Sequence, residues 1–250
     1  MKNPAGSLFS CLSGAEHRYG PAIIEDVAAT HNGTADGLPA DAPFGIHLTN
    51  TEAGHHSVSM LINKMYHWRG YGDKHQLTAH PDRITLAASG LGRILGTVTL
   101  GTDSSRGMLA DEIFKDEIDL YRNAGARVCE VTKLAIDPLA HPKLALAALF
   151  HILYLYARKI HECTDAFIEV NPRHRHFYEQ MLGFQHAGVE KHNPRVNAKA
   201  HLLRISLEQM GAQIASLGGT AGATERHRSL YPYFFGRHEE LGITDRLFAL

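Results

Sequence analysis

Only three cysteines (Cys11, Cys129 and Cys163) occur among the 250 residues, scattered and odd in number. That excludes a disulfide-stapled scaffold and fits a reducing compartment. The formal net charge is -1, so there is no global field to hold nucleic acid. The most apolar run, Leu144 to Tyr156, is short for a membrane span and is interrupted by His151, so it reads as a buried helix. Met1-Lys2-Asn3-Pro4 leads into a small, polar stretch with no long apolar segment, and the expected location is cytoplasmic. Eighteen histidines are present, but no HExxH or cysteine–histidine framework. His55-His56 and His174-Arg175-His176 lack the i, i+4 spacing that puts two imidazoles on one helical face, so no metal site is expected. Finally, Pro138-Leu139-Ala140-His141-Pro142-Lys143-Leu144 has no glycine, and its two prolines have no N–H. A glycine-rich backbone cradle for pyrophosphate is therefore absent from this strand-to-helix connection.

What is there is an ordinary globular balance of 44% hydrophobic and 20% charged residues, enough for a substantial core. Residues 1–44 are rich in Gly, Ala, Asp, Asn and Pro without a sustained period, and read as an irregular arm. Alternating strands and helices over 45–208 predict one α/β domain with a mixed sheet flanked by helices. Residues 209–250 read as a helical and aromatic extension. In it Leu207, Met210, Ile214 and Leu217 hold helical spacing ahead of Tyr231-Pro232-Tyr233-Phe234-Phe235. That aromatic cluster packs on the domain, caps a tunnel in it or meets a partner.

The periodicity predicts individual elements. Phe44 to Leu48 alternates as a strand. Thr51 or Asn50 caps a helix carrying Val58, Leu61, Ile62 and Met65 inward, stopping near Gly70. Ile84 to Ala88 and Arg93 to Leu100 form a hairpin around Ser89-Gly90-Leu91-Gly92. A helix over Asp111 to Asn123 turns Ile113, Phe114, Leu120 and Tyr121 inward and ends at Gly125. Val128 to Ile136 is a strand, Leu144 to Ile160 a helix and Ala166 to Val170 a strand. His174 to Leu182 is a short helix closed by Gly183, and Phe184 to Val189 pairs with His201 to Leu207.

Several phrases carry a resemblance. They are Tyr66-His67-Trp68-Arg69-Gly70-Tyr71, Gly96-Thr97-Val98-Thr99-Leu100 leading to Asp103 and Gly107-Met108-Leu109, and Glu130-Val131-Thr132-Lys133-Leu134-Ala135. Asn171-Pro172-Arg173-His174 runs on to Phe177-Tyr178-Glu179 and Leu182-Gly183-Phe184, and Ala200 to Leu207 closes the series. From Leu61 to about Leu207 their order resembles the long-chain N-acyl amino acid synthases, a GNAT-fold group related to the autoinducer (acyl-homoserine lactone) synthases. The resemblance implies a splayed central sheet and transfer of a long fatty acyl chain from acyl carrier protein to the amine of an amino acid. It implies no bound cofactor, since the carrier protein brings its own acyl-phosphopantetheine, which agrees with the missing glycine loop. Two positions depart from the lactone synthases. Their glutamate and arginine three residues apart become Glu130 and Lys133, and a third-strand arginine becomes Thr99. Lysine replaces the charge but not the bidentate fork.

The resemblance also suggests roles. Glu130 binds or deprotonates the amine, and Tyr178 protonates the departing sulfur. Backbone N–H groups of Val131, Thr132 and Lys133 face the oxyanion. Tyr66, Asp103 and Arg106 shape the amino-acid pocket, with Arg106 on its carboxylate. Lys143, Arg158, Lys159, Arg173 and Arg175 offer a basic surface to an acidic carrier protein. Regular alternation sends Glu130, Thr132 and Leu134 to one face and Val131, Lys133 and Ala135 to the other, so Glu130 and Lys133 share a face only across a bulge. Three other readings stay open: an autoinducer synthase using S-adenosylmethionine, a small-substrate acetyl-CoA transferase, and a non-catalytic binder of acyl groups or carrier protein.

Overall fold

A computed structural model of the chain describes residues 9–10, 44–49, 51–72, 74–90, 92–138, 142–221 and 228–248. Most of the irregular arm read over 1–44, and the centre of the glycine-free segment at 139–141, lie outside the described residues. The elements are β1 (Phe9–Ser10), β2 (Gly45–Leu48), α1 (Glu52–Trp68), β3 (Arg83–Gly90), β4 (Arg93–Thr102), α2 (Asp111–Asn123) and β5 (Val128–Ile136). There follow α3 (Pro142–Leu155) with a π-helical turn at Tyr156–Ile160, β6 (Asp165–Val170), α4 (Pro172–Leu182), β7 (Gln185–His186), β8 (Lys191–Asn193) and β9 (Ala198–Ser206). α5 (Leu207–Leu217), a 3-10 turn at Tyr231–Tyr233 and α6 (Arg237–Phe248) complete the chain.

The strands run in the order β1-β2-β3-β4-β5-β6-β9-β7, with β8 pairing β9. Among these, β5 and β6 alone are parallel, joined by the crossover helix α3. α1 covers one face, where Val58, Ile62 and Met65 meet Ala87 and Ala135. Beside it, Phe114 and Ile118 of α2 pack on Val128 and Phe167. α3 covers the other face and is itself covered by Leu230, Tyr231, Phe234, Ile243 and Leu247. A helix enclosed on both sides is apolar all round, which explains the uninterrupted run that α3 shows in sequence.

Local chemistry sets the ends. Thr51 Oγ1 accepts from Gly54 N at 3.1 Å to start α1. Gly183 adopts φ 79° to end α4, the left-handed cap glycine takes without strain. Two expectations need correction. Leu120 is 69% exposed and Ile118 takes the inward place. Phe114, Ile118 and Tyr121, at i, i+4 and i+7, form the inward stripe of α2, and Leu120 falls off it. The predicted strand over Phe184 to Val189 shrinks to the two residues of β7.

The central irregularity lies on β5. Thr97 faces Ala135 and Thr99 faces Thr132, so Val98 alone opposes both Lys133 and Leu134. Lys133 sits at φ 51° in this bulge. The bulge reverses the alternation beyond it and sends Ala135 into the core under α1. Lys133 Nζ donates to the Gln76 carbonyl at 3.1 Å, in the segment after α1. Glu130 and Lys133 therefore do share a face, as regular alternation would forbid.

Candidate active site

β5 and β6 pair over four residues only, Val128–Val131 against Asp165–Ile168. Beyond them Thr132 to Ile136 diverges from Glu169 and Val170. A cavity of about 360 Å³ fills the split and is lined from both faces of the sheet. On the α3 side its wall is apolar, with Ile136, Leu146, Ile168, Phe177, Met181 and Leu230. On the α1 side it is polar, with Tyr66, Arg69, Tyr71, Lys133, Glu169 and Arg195.

Glu169 is the carboxylate that faces this space. Alternation along β6 puts Ile168 and Val170 on the α3 side and Glu169 on the other. Its Oε2 accepts from Asn193 Nδ2 at 2.6 Å, and its Oε1 takes a charge-assisted bond from Arg195 Nη2. Burial pushes the Glu169 carboxyl above its ordinary value, the nearby Glu130 adds to the rise, and Arg195 opposes it. Arg195 also donates to the Leu109 carbonyl at 2.7 Å and pairs with Glu112.

Glu130 does something else. It is 2% exposed, and its two oxygens accept from Leu109 N at 3.0 Å and Ala110 N at 2.9 Å, just ahead of α2. Its aliphatic stem needs the missing side chain of Gly101, where a Cβ would come within 2.8 Å of Glu130 Cγ. It does not line the cavity. The geometry thus moves the base candidate from Glu130 to Glu169, one strand over on the same face.

At the mouth, the end of α1 meets the start of α4. Tyr66 lies edge-on to Tyr71 and to His75, with ring centroids 5.9 and 4.8 Å away. Burial pushes the Tyr66 phenol up to about 12, and it raises the Tyr178 phenol further. Both hold their protons at neutral pH. His174 is lowered to about 4 by burial and by the Arg69 and Arg173 cations, so its ring is neutral. Three atoms of cavity-lining residues are buried without a hydrogen-bond partner among the described residues: Tyr71 Oη, Thr132 Oγ1 and His174 Nε2. Buried polar atoms in folded proteins are rarely left unpaired, so three around one cavity mark where a polar ligand belongs.

The other residues singled out in sequence divide sharply. Tyr66, Tyr178, Lys143 and the Val131–Lys133 strand line the cavity. Asp103 and Arg106 do not. Arg122 grips Asp103 at 2.8 and 2.9 Å, and Arg106 Nε donates to Asp82 at 2.8 Å, both in the loop after β4. Arg173 lies 6.0 Å over the Tyr71 ring near the mouth, and Arg175 pairs with Glu179. Arg158 and Lys159 line a separate groove with Tyr154 and Glu208. They are fifteen or more residues along α3 from Lys143, roughly 20 Å by helical rise.

Comparison with curated proteins finds no match. The family model of the N-acyl amino acid synthase FeeM matches residues 57–206. The chain belongs to the FeeM N-acyl amino acid synthase family. Its structure is similar to that of FeeM, an N-acyl amino acid synthase from uncultured soil microbes. The two are 23% identical, covering 68% of this chain and 93% of that one, with a TM-score of 0.59. An acyl-CoA N-acyltransferase from Pseudomonas aeruginosa follows at 12% identity, 65% and 98% coverage and a TM-score of 0.47. The AHL synthase LasI follows at 11%, 66% and 91%, and 0.46. The chain is thus an N-acyltransferase of GNAT fold. In this FeeM-family member Thr99 is buried and shares a 2.7 Å bond with Thr85 Oγ1.

Sequence reading of the FeeM-family member passed over Glu169, Arg195, Asn193 and His174 as site residues. Glu169 was visible as the one charge inside Ala-Phe-Ile-Glu-Val, and His174 stands in a phrase already matched. Asn193 ends the three-residue β8 and Arg195 lies in the turn after it, neither with a signal in the sequence pattern.

His174 supports a pH prediction. Its folded pKa of about 4 lies below the ordinary 6.5, so the unfolded chain binds more protons between these values. Stability is therefore lost as pH falls through that window. Replacing His174 with Gln flattens the fall, as thermal melts of parent and variant between pH 7 and about 4 will show.

Proposed function

We propose that this acyltransferase moves a long-chain acyl group from acyl carrier protein to the α-amine of an amino acid. The observation that carries this is the two-sided cavity, whose apolar wall suits an acyl chain and whose polar wall suits a small zwitterion. The glycine-free segment Pro138 to Leu144 supports a donor that docks as a protein.

In this reading the acceptor carboxylate goes to Arg69, which spends one N–H on the Met65 carbonyl at 3.3 Å and lines the polar wall. The α-amine, with a pKa near 7.7–8.0, needs modest help to lose its proton. Glu169 takes that proton directly or through one water. The nitrogen adds to the thioester carbonyl, and the oxyanion is met by N–H groups of β5 from Val131 to Lys133, beside the end of the β6 ladder. The C–S bond then breaks, the amide remains, and the proton returns from Glu169 to the pantetheine sulfur. Tyr178 steadies the departing thiolate by a hydrogen bond. Its raised pKa makes outright proton transfer to a thiolate uphill.

The test is mass spectrometry of the protein incubated with palmitoyl acyl carrier protein and all twenty amino acids. Enzyme-dependent appearance of one N-acyl amino acid supports the reading and names the acceptor. No product from acylated carrier protein and folded enzyme defeats it, and a parallel incubation with S-adenosylmethionine would expose a lactone synthase.

Docking is assigned to the cations at the mouth. Lys143→Glu with Arg173→Glu raises KM for acyl carrier protein about tenfold or more and weakens its salt dependence. Arg158→Glu with Lys159→Glu, at the far end of α3, leaves KM within about twofold. Steady-state kinetics at two ionic strengths compare the pairs.

A further inference from the structure

The apolar wall contains one residue from beyond the segment that the FeeM family model covers. That residue is Leu230, 24 positions past the end of the match at residue 206. It is fully buried, and its N–H donates to the Met181 carbonyl at 2.8 Å, the neighbouring cavity-lining residue on α4. The adjacent Tyr231 Oη donates to the Leu182 carbonyl at 2.6 Å. Phe235 N donates to His151 Nδ1 at 3.0 Å, and Phe234 stacks on the same imidazole at 5.2 Å. Lys143, at the start of α3, lies 3.8 Å over the Tyr233 ring. The turn from Leu230 to Phe235 is thus bolted to α3 and α4 on both sides of the cavity wall, and Ile243 and Leu247 of α6 bury against the same core.

We propose that this C-terminal turn closes the apolar arm of the cavity and that Leu230 limits the length of acyl chain the enzyme accepts. This rests on the acyltransferase reading above. A chain entering from the split between β5 and β6 runs along Ile136, Leu146, Phe177 and Met181 and ends against Leu230. The turn is held by the Leu230 N–H and the Tyr231 phenol, and the Leu230 side chain is fully enclosed, so the stop does not swing aside to admit a longer chain. A stop built this way is set by the volume of one side chain, and one methylene in an apolar pocket changes selectivity about tenfold or more.

The experiment has two arms. In the first, parent, Leu230→Phe and Leu230→Val proteins are each given all twenty amino acids and an equimolar, competing mixture of octanoyl, dodecanoyl and hexadecanoyl acyl carrier protein, with products read by mass spectrometry. The product ratio moves about tenfold or more toward the shorter chain in Leu230→Phe and toward the longer chain in Leu230→Val. In the second, thermal shifts with free octanoate, dodecanoate and hexadecanoate report the same ranking without any donor protein. Circular dichroism confirms that the variants fold, and because the two substitutions push in opposite directions, general loosening cannot mimic both. An unchanged ranking in both arms, or a shift in one direction for both variants, overturns the inference. No product from the parent in the first arm, with a ranking that still moves in the second, overturns the donor assignment and upholds Leu230 as the stop.

Discussion

Glu169→Gln lowers kcat by about a hundredfold or more, with KM for the acyl donor little changed. The substitution keeps the shape, retains an oxygen for Asn193 or Arg195, and removes the capacity to take a proton together with the charge that faces Arg195. Loss of a positioned general base costs 10²–10⁴-fold in rate, of order 3–5 kcal/mol of barrier. The pH profile makes the test specific. Below its raised pKa the Glu169 carboxyl is protonated and cannot serve as base. The parent's kcat/KM therefore climbs with pH through a limb above the ordinary glutamate value of 4.5, and the variant lacks that limb. The stability effect has the opposite sense. A carboxyl whose folded pKa is raised gives up stability as pH rises through that value, so Glu169→Gln is relatively more stable at neutral pH than in acid. Glu130→Gln supplies the contrast. It loses one of two charge-assisted bonds to the Leu109 and Ala110 amides and costs about 1.5–3 kcal/mol of stability. Its residual kcat, measured on folded protein, stays within about tenfold of the parent. If Glu130→Gln abolished turnover and Glu169→Gln did not, the assignment of the base would be reversed.

Arg195→Ala is the substitution with the largest expected effect on stability, on the order of 3 kcal/mol, because it leaves the largely buried Glu169 carboxyl without its cationic partner. The guanidinium ties the start of α2, through the Leu109 carbonyl and Glu112, to β6 through Glu169. At 29% exposure the side chain keeps some solvent, which holds the loss below that of a fully enclosed pair. Without it the Glu169 carboxyl moves higher still, and the acid limb of kcat/KM moves to higher pH. Arg195→Lys restores the charge but reaches only part of the set, so it recovers less than half of the lost stability. Urea denaturation with a shared m value, together with the pH–rate profile, separates the structural loss from the catalytic one.

Period and punctuation were enough to read most of the fold. Thr51, the Val58–Met65 stripe, the hairpin around Gly92, the β5 strand and the Gly183 cap are all local signals, and the structure agrees with them. Leu120 was misread because the inward stripe of α2 runs through Phe114, Ile118 and Tyr121, and Leu120 falls off it. The bulge at Lys133 is the one condition under which alternation let Glu130 and Lys133 share a face, and periodicity alone does not report it. The site was legible only where it lies on regular elements. Tyr66 and Tyr178 stand on helices whose phrases were recognisable, whereas Asn193, at the end of the short β8, and Arg195, in the turn after it, reach Glu169 through contacts 24 and 26 residues apart in sequence. Arg106 was misplaced for the complementary reason, since a cation in a loop declares nothing about which carboxylate it will find.

The four-residue seam between β5 and β6 has a consequence for how the molecule opens. Among the described strands, β1 to β5 form one block and β6 to β9 another, stitched along the sheet only at Val128–Val131. The expected amide exchange pattern divides along that line, with the two blocks protected to different degrees and the edge from Thr132 to Ile136 the least guarded part of its strand. A ligand lodged in the split touches both blocks at once and adds its binding energy to the seam. Substrate binding is thus read out as cooperativity, two foldons merging into one, as well as by the rate of the reaction it precedes.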